Sequence, residues 1–369
     1  MSTVVLHRVT KRYGGREAVR DVGLTCPAGD VTVLLGASGA GKTTVLRMIA
    51  GLETVDAGEV MIGDTIVNEL APRDRRVSMA FENYALYPQL TVFDNIAFSL
   101  RIAPGGARPE RGELERRVRE VAELLDIGPL LPRLPRQLSG GQRQRVALGR
   151  ALVRDAAAHL LDEPIAHLDA KLRHQLLATL KHFQKSREMT TLWTTPDQLE
   201  AMAVADRVAV LRDGRLEQIG PPQEVYRRPR NQFVAAALGD PAMNVVVARV
   251  RREEGKPTLQ AGDVTLPAPA TLDGVLARLG GEGAVRLGIR PSDIGIGAAP
   301  TGRPGLPAEV LLQEPFGAYD VTTVSALGIE MKVKSASAAQ YRPGTAVSLA
   351  LDPGRYYFFH PETGETLGT

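Results

Sequence analysis

One short stretch of the sequence carries residue types suited to holding phosphates. It runs GASGAGKTT from Gly36 to Thr44 and has the spacing G-x-x-x-x-G-K-[ST]. In such a loop the backbone N–H groups approach the phosphates, Lys42 reaches the β- and γ-phosphates, and the Thr43 hydroxyl ligates Mg²⁺. The predicted nucleotide-binding residues here are Gly36, Ala37, Ser38, Gly39, Ala40, Gly41, Lys42, Thr43 and Thr44.

A second stretch, HLLDEP, ends an apolar run in two carboxylates. We expect Asp162 to hold Mg²⁺, directly or through water, and Glu163 to polarise the attacking water as general base. An Asp-Glu pair alone is common at a solvated strand end. Here it indicates a catalytic site because a phosphate loop precedes it in the same chain. Lys42, Asp162 and Glu163 are the predicted catalytic residues.

A third stretch, LSGGQRQRVALGRAL, places a serine and two glycines before a helix. A helix start of this kind also favours anions. One triphosphate, however, does not need two anion-binding helix starts from the same chain. A two-fold dimer resolves this, because the loop of one subunit can cap the γ-phosphate held by the other subunit's phosphate loop. The residues predicted to make this cap are Ser139, Gly140, Gly141 and Gln142.

Alternating strand-like and helix-like segments must position these residues. VTVLLG, AHLLDEP and TTLWTT are typical of buried strands with helices between them, which predicts a parallel sheet with crossover helices. VVLHRVTKRY and REAVRDVGLTC are typical of antiparallel strands, so we expect a mixed sheet. A mostly helical block follows between Val92 and Pro135, with one apolar helix face made of Leu114, Val118, Val121, Leu124 and Leu125.

Turn signals divide the chain into two parts. RVAVLRDGRLEQIG predicts a hairpin that turns at Asp213-Gly214. Beyond about residue 240 the chain has short strand-like segments punctuated by glycine and proline. We predict an α/β nucleotide-binding domain over residues 1–234, with a helical subdomain at about 92–135, and a smaller β-rich domain over residues 235–369.

Composition excludes several other classes of protein. The 45 basic and 42 acidic residues leave a net charge of +3, too balanced for a general nucleic-acid footprint. The single cysteine, Cys26, fits a reducing compartment. No secretion signal and no apolar run of about 18 residues is present, so we expect a cytosolic chain whose membrane contacts come through partners.

The phosphate loop, LSGGQ and LLDEP, in that order, resemble the ATPase subunit of an ABC transporter. FENYALYPQLTVFDNIAFSLR, LDAKLR, LRDGRLEQIGPPQEVYRRPRNQFVA and LGIRPSDI resemble the carbohydrate-importer branch of the maltose and glycerol-3-phosphate type. The resemblance covers nearly the whole chain. It implies an α/β P-loop ABC ATPase domain with a mixed sheet and a helical subdomain, followed by a β-rich, barrel-like (OB-like) regulatory and dimerisation domain.

The resemblance also implies cofactors and partners. It implies an ATPase with ATP and Mg²⁺, a second ATPase subunit, two integral membrane permease subunits and, indirectly, an extracytoplasmic solute-binding protein, with no nucleic acid. The chain would lie peripherally on the cytoplasmic face of the inner membrane. The implied solute is a sugar, a sugar alcohol or a glycerol phosphate.

Individual residues match the family pattern. Tyr13 matches the aromatic residue that stacks on adenine, and Leu168-Asp169 matches a segment that communicates across the dimer. Ala166 and His167 precede that segment where small or polar residues are more usual. The helical block resembles the subdomain that receives a permease coupling helix. By the same resemblance, ENYALYP is the segment that couples this subdomain to the nucleotide site.

Two positions depart from the pattern at the γ-phosphate. Glu82 stands where the family has a glutamine that contacts Mg²⁺ and the attacking water. Glutamate keeps an oxygen ligand for the metal but loses the NH₂ donor and adds negative charge beside a polyanion. Pro196 stands where the family has a histidine that donates to the γ-phosphate, and proline offers neither a side-chain donor nor an N–H. Loss of such a group costs on the order of 10²-fold in rate, so we expect good ATP binding and slow hydrolysis.

Two hypotheses follow. In the first, the chain is an importer ATPase that forms a homodimer with two slowed sites. In the second, it pairs with a related ATPase, lends its intact Ser139–Gln142 loop to the partner's site, and has a mainly structural and regulatory role. The intact loop beside altered Glu82 and Pro196 favours the second. His159, His167, His174 and His182 are candidates to replace the missing donor, and of these only His167 is near enough in motif order. A soluble ATPase of repair or translation is a distant third reading, because it leaves the permease-coupling block without a purpose.

Overall fold

The structure is a computed structural model that describes residues 1–102, 108–297, 305–337 and 339–368. The chain forms two compact units, Met1–Gln223 and Glu224–Thr369. The domain boundary predicted between residues 234 and 235 stays a prediction. The predicted helical block includes residues 103–107, which lie outside the described residues.

The described residues of the first unit form strands β1 to β10 and helices α1 to α6. Its strands are β1 (Val4–Tyr13), β2 (Arg16–Cys26), β3 (Val31–Leu35), β4 (Ala57–Ile62), β5 (Thr65–Ile66), β6 (Val77–Ala80), β7 (Ala158–Asp162), β8 (Thr191–Thr195), β9 (Arg207–Arg212) and β10 (Arg215–Gly220). Its helices are α1 (Lys42–Ala50), α2 (Val92–Arg101), α3 (Arg111–Leu124), α4 (Gly140–Leu152), α5 (Ala170–Ser186) and α6 (Gln198–Val204). Helix α7 (Pro222–Arg227) follows.

Two sheets organise this unit. The larger one has the strand order β10-β9-β3-β8-β7-β6, and its neighbours pair in parallel except for the β9–β10 hairpin. That hairpin turns at Asp213 and Gly214, both at positive φ, as expected for a tight two-residue turn. The smaller sheet, β2-β1-β4-β5, is antiparallel. The predicted mixed sheet with crossover helices is therefore confirmed, with β10 as its antiparallel strand, whereas the predicted antiparallel strands VVLHRVTKRY and REAVRDVGLTC belong to the separate smaller sheet.

The central strands are buried because helices cover the parallel sheet. Every residue of β3, β7 and β8 is buried, which fits their near-continuous apolar sequences. Helix α1 packs one face into this core through Val45, Leu46, Met48 and Ile49. The end of β3 and the start of α1 are thereby held firmly on either side of the phosphate loop.

Helix α3 shows how far periodicity predicts a buried face. Leu114, Val118, Val121 and Leu125 are buried as expected, whereas Leu124 is only half-buried. Leu124 is the last residue of the helix and Leu125 is its C-cap, so the helical period no longer fixes the side-chain direction there. In the described part of the chain, no helix has both the length and the apolar character needed to cross a membrane.

The second unit is β-rich, as predicted. Its strands are β11 (Asn244–Glu253), β12 (Lys256–Ala261), β13 (Val264–Leu266), β14 (Gly283–Ile289), β15 (Ile294–Gly297), β16 (Leu306–Pro315), β17 (Tyr319–Ala326), β18 (Ile329–Ala336), β19 (Ala346–Leu351), β20 (Tyr357–Phe359) and β21 (Thr366–Gly368). Its helices are α8 (Gln232–Ala237) and α9 (Leu272–Leu279). The strands form two sheets, β13-β12-β11-β14-β20-β21 and β15-β19-β16-β17-β18, around a common apolar core.

A buried arginine ties the start of the second unit to its sheet. Arg290 is 2% exposed and donates to the carbonyl oxygens of Tyr226 and Leu238, each at 2.6 Å. Its guanidinium also lies 3.6 Å from the centroid of the Tyr226 ring. The buried guanidinium is thus hydrogen-bonded, as buried polar groups generally are.

Candidate functional site

The loops that carry the predicted chemistry lie along one edge of the large sheet. The phosphate loop follows β3, Pro196 follows β8, Glu163 follows β7, and Glu82 comes two residues after β6. Because β3, β8, β7 and β6 are neighbours in that order, these loops form a row. Ligands of open parallel sheets bind outside the carboxyl ends of the strands, which is where this row lies.

Two glycines make the phosphate loop possible. A Cβ atom at Gly36 would lie 2.7 Å from the Leu211 carbonyl oxygen. Gly41 has φ 100°, and a Cβ atom there would lie 2.6 Å from the Ala18 carbonyl oxygen. Helix α1 begins directly after Gly41, so its first N–H groups have no partner within the helix and are free to meet an anion.

Lys42 is fixed inside the loop. Its side chain is 4% exposed, and its Nζ donates to the carbonyl oxygens of Gly36 at 2.9 Å and Ala37 at 3.2 Å. The same Nζ lies 3.4 Å from Glu163 Oε1. The structure thus brings together Lys42 and Glu163, two of the three predicted catalytic residues.

Asp162 sits beside Thr43 in a polar pocket. Asp162 is 3% exposed, and its Oδ1 accepts hydrogen bonds from Thr43 Oγ1 at 3.0 Å and Thr194 Oγ1 at 2.7 Å. These donors are neutral hydroxyls, so the carboxylate charge is left to be balanced by a cation. The donor set fits Mg²⁺, which takes one or two protein oxygens together with phosphate oxygens and water. Among the described residues no larger group of metal-ligating side chains occurs.

Glu163 has a backbone conformation that needs support. Its φ is 45°, a left-handed value that is uncommon outside glycine. Its N–H donates to Thr194 Oγ1 at 3.1 Å, and its carbonyl oxygen accepts from Gln144 Nε2 at 2.9 Å. The turn therefore directs the Glu163 side chain toward Lys42. The Asp162-Glu163 pair is thus not simply a solvated strand end.

Glu82 and Pro196 differ from these residues because both are exposed. The segment after Glu82 is held by helix α4, since Arg150 donates to the carbonyl oxygens of Ala85 at 2.7 Å and Tyr84 at 3.2 Å. Burial lowers the pKa of Arg150. The predicted metal role of Glu82 stays a prediction.

The serine-glycine loop is a preformed helix start. Ser139 Oγ accepts from the Gln142 N–H at 3.3 Å, and Gln142 Oε1 accepts from the Ser139 N–H at 2.9 Å, which is a capping box. A Cβ atom at Gly141 would lie 3.0 Å from the Leu168 side chain, so the loop packs against the segment after the carboxylates. That Ser139–Gln142 cap a phosphate in a partner subunit stays a prediction.

Tyr13 ends strand β1 and is 44% exposed. The ammonium of Lys11 lies 5.4 Å from its ring centroid. Burial of the hydroxyl end, together with the charge of Glu53, raises the pKa of Tyr13. An exposed ring of this kind can stack on a base, and this role also stays a prediction.

The sequence does not indicate the contacts of three side chains that support the site. Thr194 faces Asp162 across the β7–β8 register, so only the strand pairing reveals it. Gln144 is 4% exposed and bridges the Glu163 carbonyl oxygen and the His167 N–H, the latter at 3.0 Å. Arg173 donates to the carbonyl oxygens of Ala166 and Leu168. Each depends on contacts between segments far apart in the chain.

The histidines occupy different settings. His159 is fully buried in strand β7, and His174 and His182 are exposed on helix α5. His167 is exposed, with its ring edge-on to Tyr84 at a centroid distance of 5.9 Å. Of the histidines considered as substitutes for the missing donor, His167 is the one beside the Glu163 turn.

Comparison with protein families gives two matches within the chain. The model of the ABC transporter family matches residues 19–166. The model of the TOBE domain matches residues 287–359. The first covers the phosphate loop, the serine-glycine loop and the carboxylate pair, and the second lies in the β-rich unit.

Curated proteins resemble the chain over its whole length. The sn-glycerol-3-phosphate import ATP-binding protein UgpC of Cereibacter sphaeroides is 43% identical over 370 residues, covering 100% of both chains. The protein of the same name from Paracoccus denitrificans is 41% identical over 369 residues, covering 100% of this chain and 99% of the relative. Among solved structures, the dimeric bacterial ABC transporter cassette MJ0796 is 30% identical with a TM-score of 0.55, covering 59% of this chain and 98% of that one.

Proposed function

The chain belongs to the family of ABC transporter ATP-binding proteins, and on that premise we propose that it powers the import of a glycerol phosphate, a sugar or a sugar alcohol. The family membership carries ATP binding and ATPase activity. The names of the relatives supply the solute class, with sn-glycerol-3-phosphate as the first candidate.

The row of strand ends supports the following proposed task for each side chain of the site. Lys42 binds the β- and γ-phosphates, and the N–H groups at the start of α1 bind the rest of the anion. Thr43 and Asp162 would hold Mg²⁺, and the bound ion would supply positive charge beside the phosphates. Glu163 accepts the proton of the attacking water and leaves its pair with Lys42 to do so.

The site is proposed to hydrolyse ATP slowly. The supporting observation is the strand order, because β8 and β6 flank β7 and so place Pro196 and Glu82 on either side of Glu163. Pro196 cannot donate a hydrogen bond to the γ-phosphate. Glu82 adds a negative charge on the other side, which opposes the approach of a polyanion.

The replacement Pro196→His tests this proposal. We expect hydrolysis by the purified chain to rise about 10- to 100-fold, because an imidazole donor is restored beside the γ-phosphate. Pro72→His is the matched control, since Pro72 is exposed in a short turn after β5. An unchanged rate in Pro196→His would refute the slowed-site proposal, whereas the ATPase assignment would stand if Glu163→Gln abolished the measured activity.

A second candidate function rests on the Ser139–Gln142 capping box. In a heterodimer this chain would supply the intact loop to a related ATPase and mainly hold ATP in its own half-site. Mixing two inactive variants, Glu163→Gln and Ser139→Arg, separates the possibilities. A homodimer forms one complete site from such a pair and regains hydrolysis, whereas a chain that works only with a different partner regains none.

The remaining partners are part of the same proposal. Two permease subunits would receive the ENYALYP segment, a solute-binding protein would deliver the solute from outside, and the chain would lie on the cytoplasmic face of the inner membrane. Co-expression with the permease subunits of a glycerol-3-phosphate importer and purification from membranes checks this arrangement. Recovery of the chain only in the fraction without membranes would contradict it.

A further inference from the structure

Arg173 connects two loops that flank the general base. It lies in the first turn of helix α5, with its side chain 31% exposed. On one side it faces the loop between Glu163 and α5, and on the other it faces the turn that contains Pro196. No motif assigns it a role.

The first set of contacts is to backbone carbonyl groups. An Nη of Arg173 donates to the carbonyl oxygens of Ala166 at 3.3 Å and Leu168 at 3.1 Å. The segment from Ala166 to Leu168 joins the Glu163 turn to helix α5, and its other side is held by Gln144 through the His167 N–H. Arg173 is thus the cation that fixes this loop from the side of α5.

The second set of contacts is to carboxylates of the Pro196 turn. The other Nη of Arg173 lies 3.5 Å from Asp197 Oδ2, and its Nε lies 3.7 Å from Glu200 Oε1. Asp197 caps helix α6 by accepting from the N–H groups of Leu199 and Glu200. The guanidinium therefore joins the carboxylates that begin α6 to the carbonyl groups of the other loop.

Glu200 links this arrangement back to the strand beneath it. Its side chain is 5% exposed, and its Oε2 accepts from Thr195 Oγ1 at 2.7 Å. Thr195 ends strand β8, and its Oγ1 also accepts from the Asp197 N–H at 3.0 Å. Because Pro196 has no N–H, the bonds on either side of it hold the turn.

We propose that Arg173 is a positioning residue for ATP hydrolysis, which fixes the Pro196 turn against the Ala166–Leu168 loop and so holds the surroundings of Glu163 in one geometry. Arginine suits the task because its planar fork meets carbonyl and carboxylate oxygens in several directions at once. Lysine keeps the charge but cannot reach both sides from a single ammonium. Removing the cation also leaves Glu200 as a buried carboxylate without the positive charge beside it, with the Thr195 hydroxyl as its remaining partner among the described residues.

The test compares Arg173→Lys with Arg116→Lys. Arg116 is a suitable control because it also pairs with two carboxylates, Glu113 and Glu120, but lies exposed on helix α3. We expect kcat for ATP hydrolysis to fall about tenfold in Arg173→Lys with KM within about twofold, since small displacements around a reacting centre cost rate more than binding. Arg116→Lys should leave both values unchanged.

Hydrogen exchange gives a second readout that does not need turnover. In Arg173→Lys the amides of residues 163–170 and 195–201 should both exchange faster, while the rest of helix α5 keeps its wild-type exchange. Glu200→Gln, which keeps the shape and removes the charge, should raise exchange in the same two segments. The hydrogen-exchange measurement therefore tests the contacts of Arg173 even if this site does not hydrolyse ATP.

Three outcomes overturn the proposal. One is faster exchange in only one of the two segments, because Arg173 would then support one loop without joining it to the other. Another is a wild-type kcat in Arg173→Lys despite faster exchange, because the contact would then be structural alone. The third is a rise in KM with unchanged kcat, which would place Arg173 in nucleotide binding.

Discussion

The two sides of the nucleotide site are built in different ways. Lys42, Thr43 and Asp162 lie on the buried side, at the carboxyl ends of β3 and β7 with β8 between them, where the side chains of Thr43 and Asp162 bond directly to one another. Glu82 and Pro196 lie on the exposed side, in loops whose own side chains do not reach that network in the described structure. The binding side is therefore held by bonds among its own functional side chains. On the other side the neighbouring residues hold the turns, while the side chains of Glu82 and Pro196 themselves are exposed.

The difference explains how binding and hydrolysis can be separated in one chain. Burial fixes the residues proposed to hold phosphate and metal, so changes there disturb strands and helix α1 together. The exposed loops can change residue type without disturbing the core. A site that keeps ATP but hydrolyses it slowly is the expected result of change on the exposed side alone.

The largest effect is expected from Glu163→Gln. Without a general base beside the phosphate loop, the rate of hydrolysis should fall on the order of 10²-fold or more. ATP affinity should stay within about threefold, because Lys42 and the start of α1 still bind the phosphates. Single-turnover hydrolysis with labelled ATP measures the rate, and titration with a fluorescent ATP analogue measures the affinity.

The control for this variant is Glu188→Gln, an exposed glutamate after helix α5. It should leave both rate and affinity unchanged. If Glu163→Gln hydrolysed ATP at the wild-type rate, the buried side would not contain the base, and the contrast between the two sides would be lost.

A smaller effect is expected from Lys42→Ala. Loss of a charge-assisted hydrogen bond to phosphate costs about 1.5–3 kcal/mol, so the Kd for ATP should rise about 10- to 100-fold. Lys171→Ala, an exposed lysine at the start of α5, is the control and should bind ATP like the wild type. Isothermal titration with Mg²⁺-ATP measures both. An unchanged Kd in Lys42→Ala would mean that Lys42 keeps its bonds to Gly36 and Ala37 and does not reach the nucleotide.

The buried side was predictable from the sequence because its signals are local. Glycine spacing fixed the phosphate loop, and apolar runs fixed the strands on either side of it. The supporting residues were not predictable. Thr194 meets Asp162 only because β8 pairs with β7, and Gln144 meets Glu163 only because α4 packs under that turn.

On the exposed side, the sequence identified the unusual residues but not their positions in the fold. The sequence identified Glu82 and Pro196 as unusual, but their places beside Glu163 follow from the strand order, which no local pattern contains. The contacts of Arg173 could not be predicted for the same reason, since its partners come from two different loops. Departures from a motif can be found in the sequence. The residues that contact the altered segments can be identified only from the fold.

A few-fold effect is expected from Glu82→Gln. Restoring the amide removes a negative charge and adds an NH₂ donor, and screening by water at this exposed position keeps the gain to about three- to tenfold in hydrolysis. The gain in rate from Glu82→Gln should be larger in a chain that also carries Pro196→His than in the otherwise wild-type chain, because both groups would act on the same phosphate. Steady-state rates of the two single variants and the double variant measure this coupling. A slower rate in Glu82→Gln would show that the carboxylate serves as a metal ligand that the amide cannot replace.

The smallest effect concerns the strand beneath Asp162 rather than the chemistry. Burial lowers the pKa of His159 to about 4, and its Nε2 donates to the Arg154 carbonyl oxygen at 3.1 Å. The unfolded chain binds a proton at a pKa of about 6.5, so stability is complete above that pH and is lost as the pH falls toward 4, by about 1 kcal/mol at pH 5.5. His159→Gln keeps a donor and removes the titration, so thermal unfolding followed between pH 8 and pH 5 should show a shallower loss than in the wild type. His182→Gln, an exposed histidine on α5, should follow the wild-type curve. Parallel curves for His159→Gln and the wild type would show that the buried side of the site is not weakened by protonation of His159.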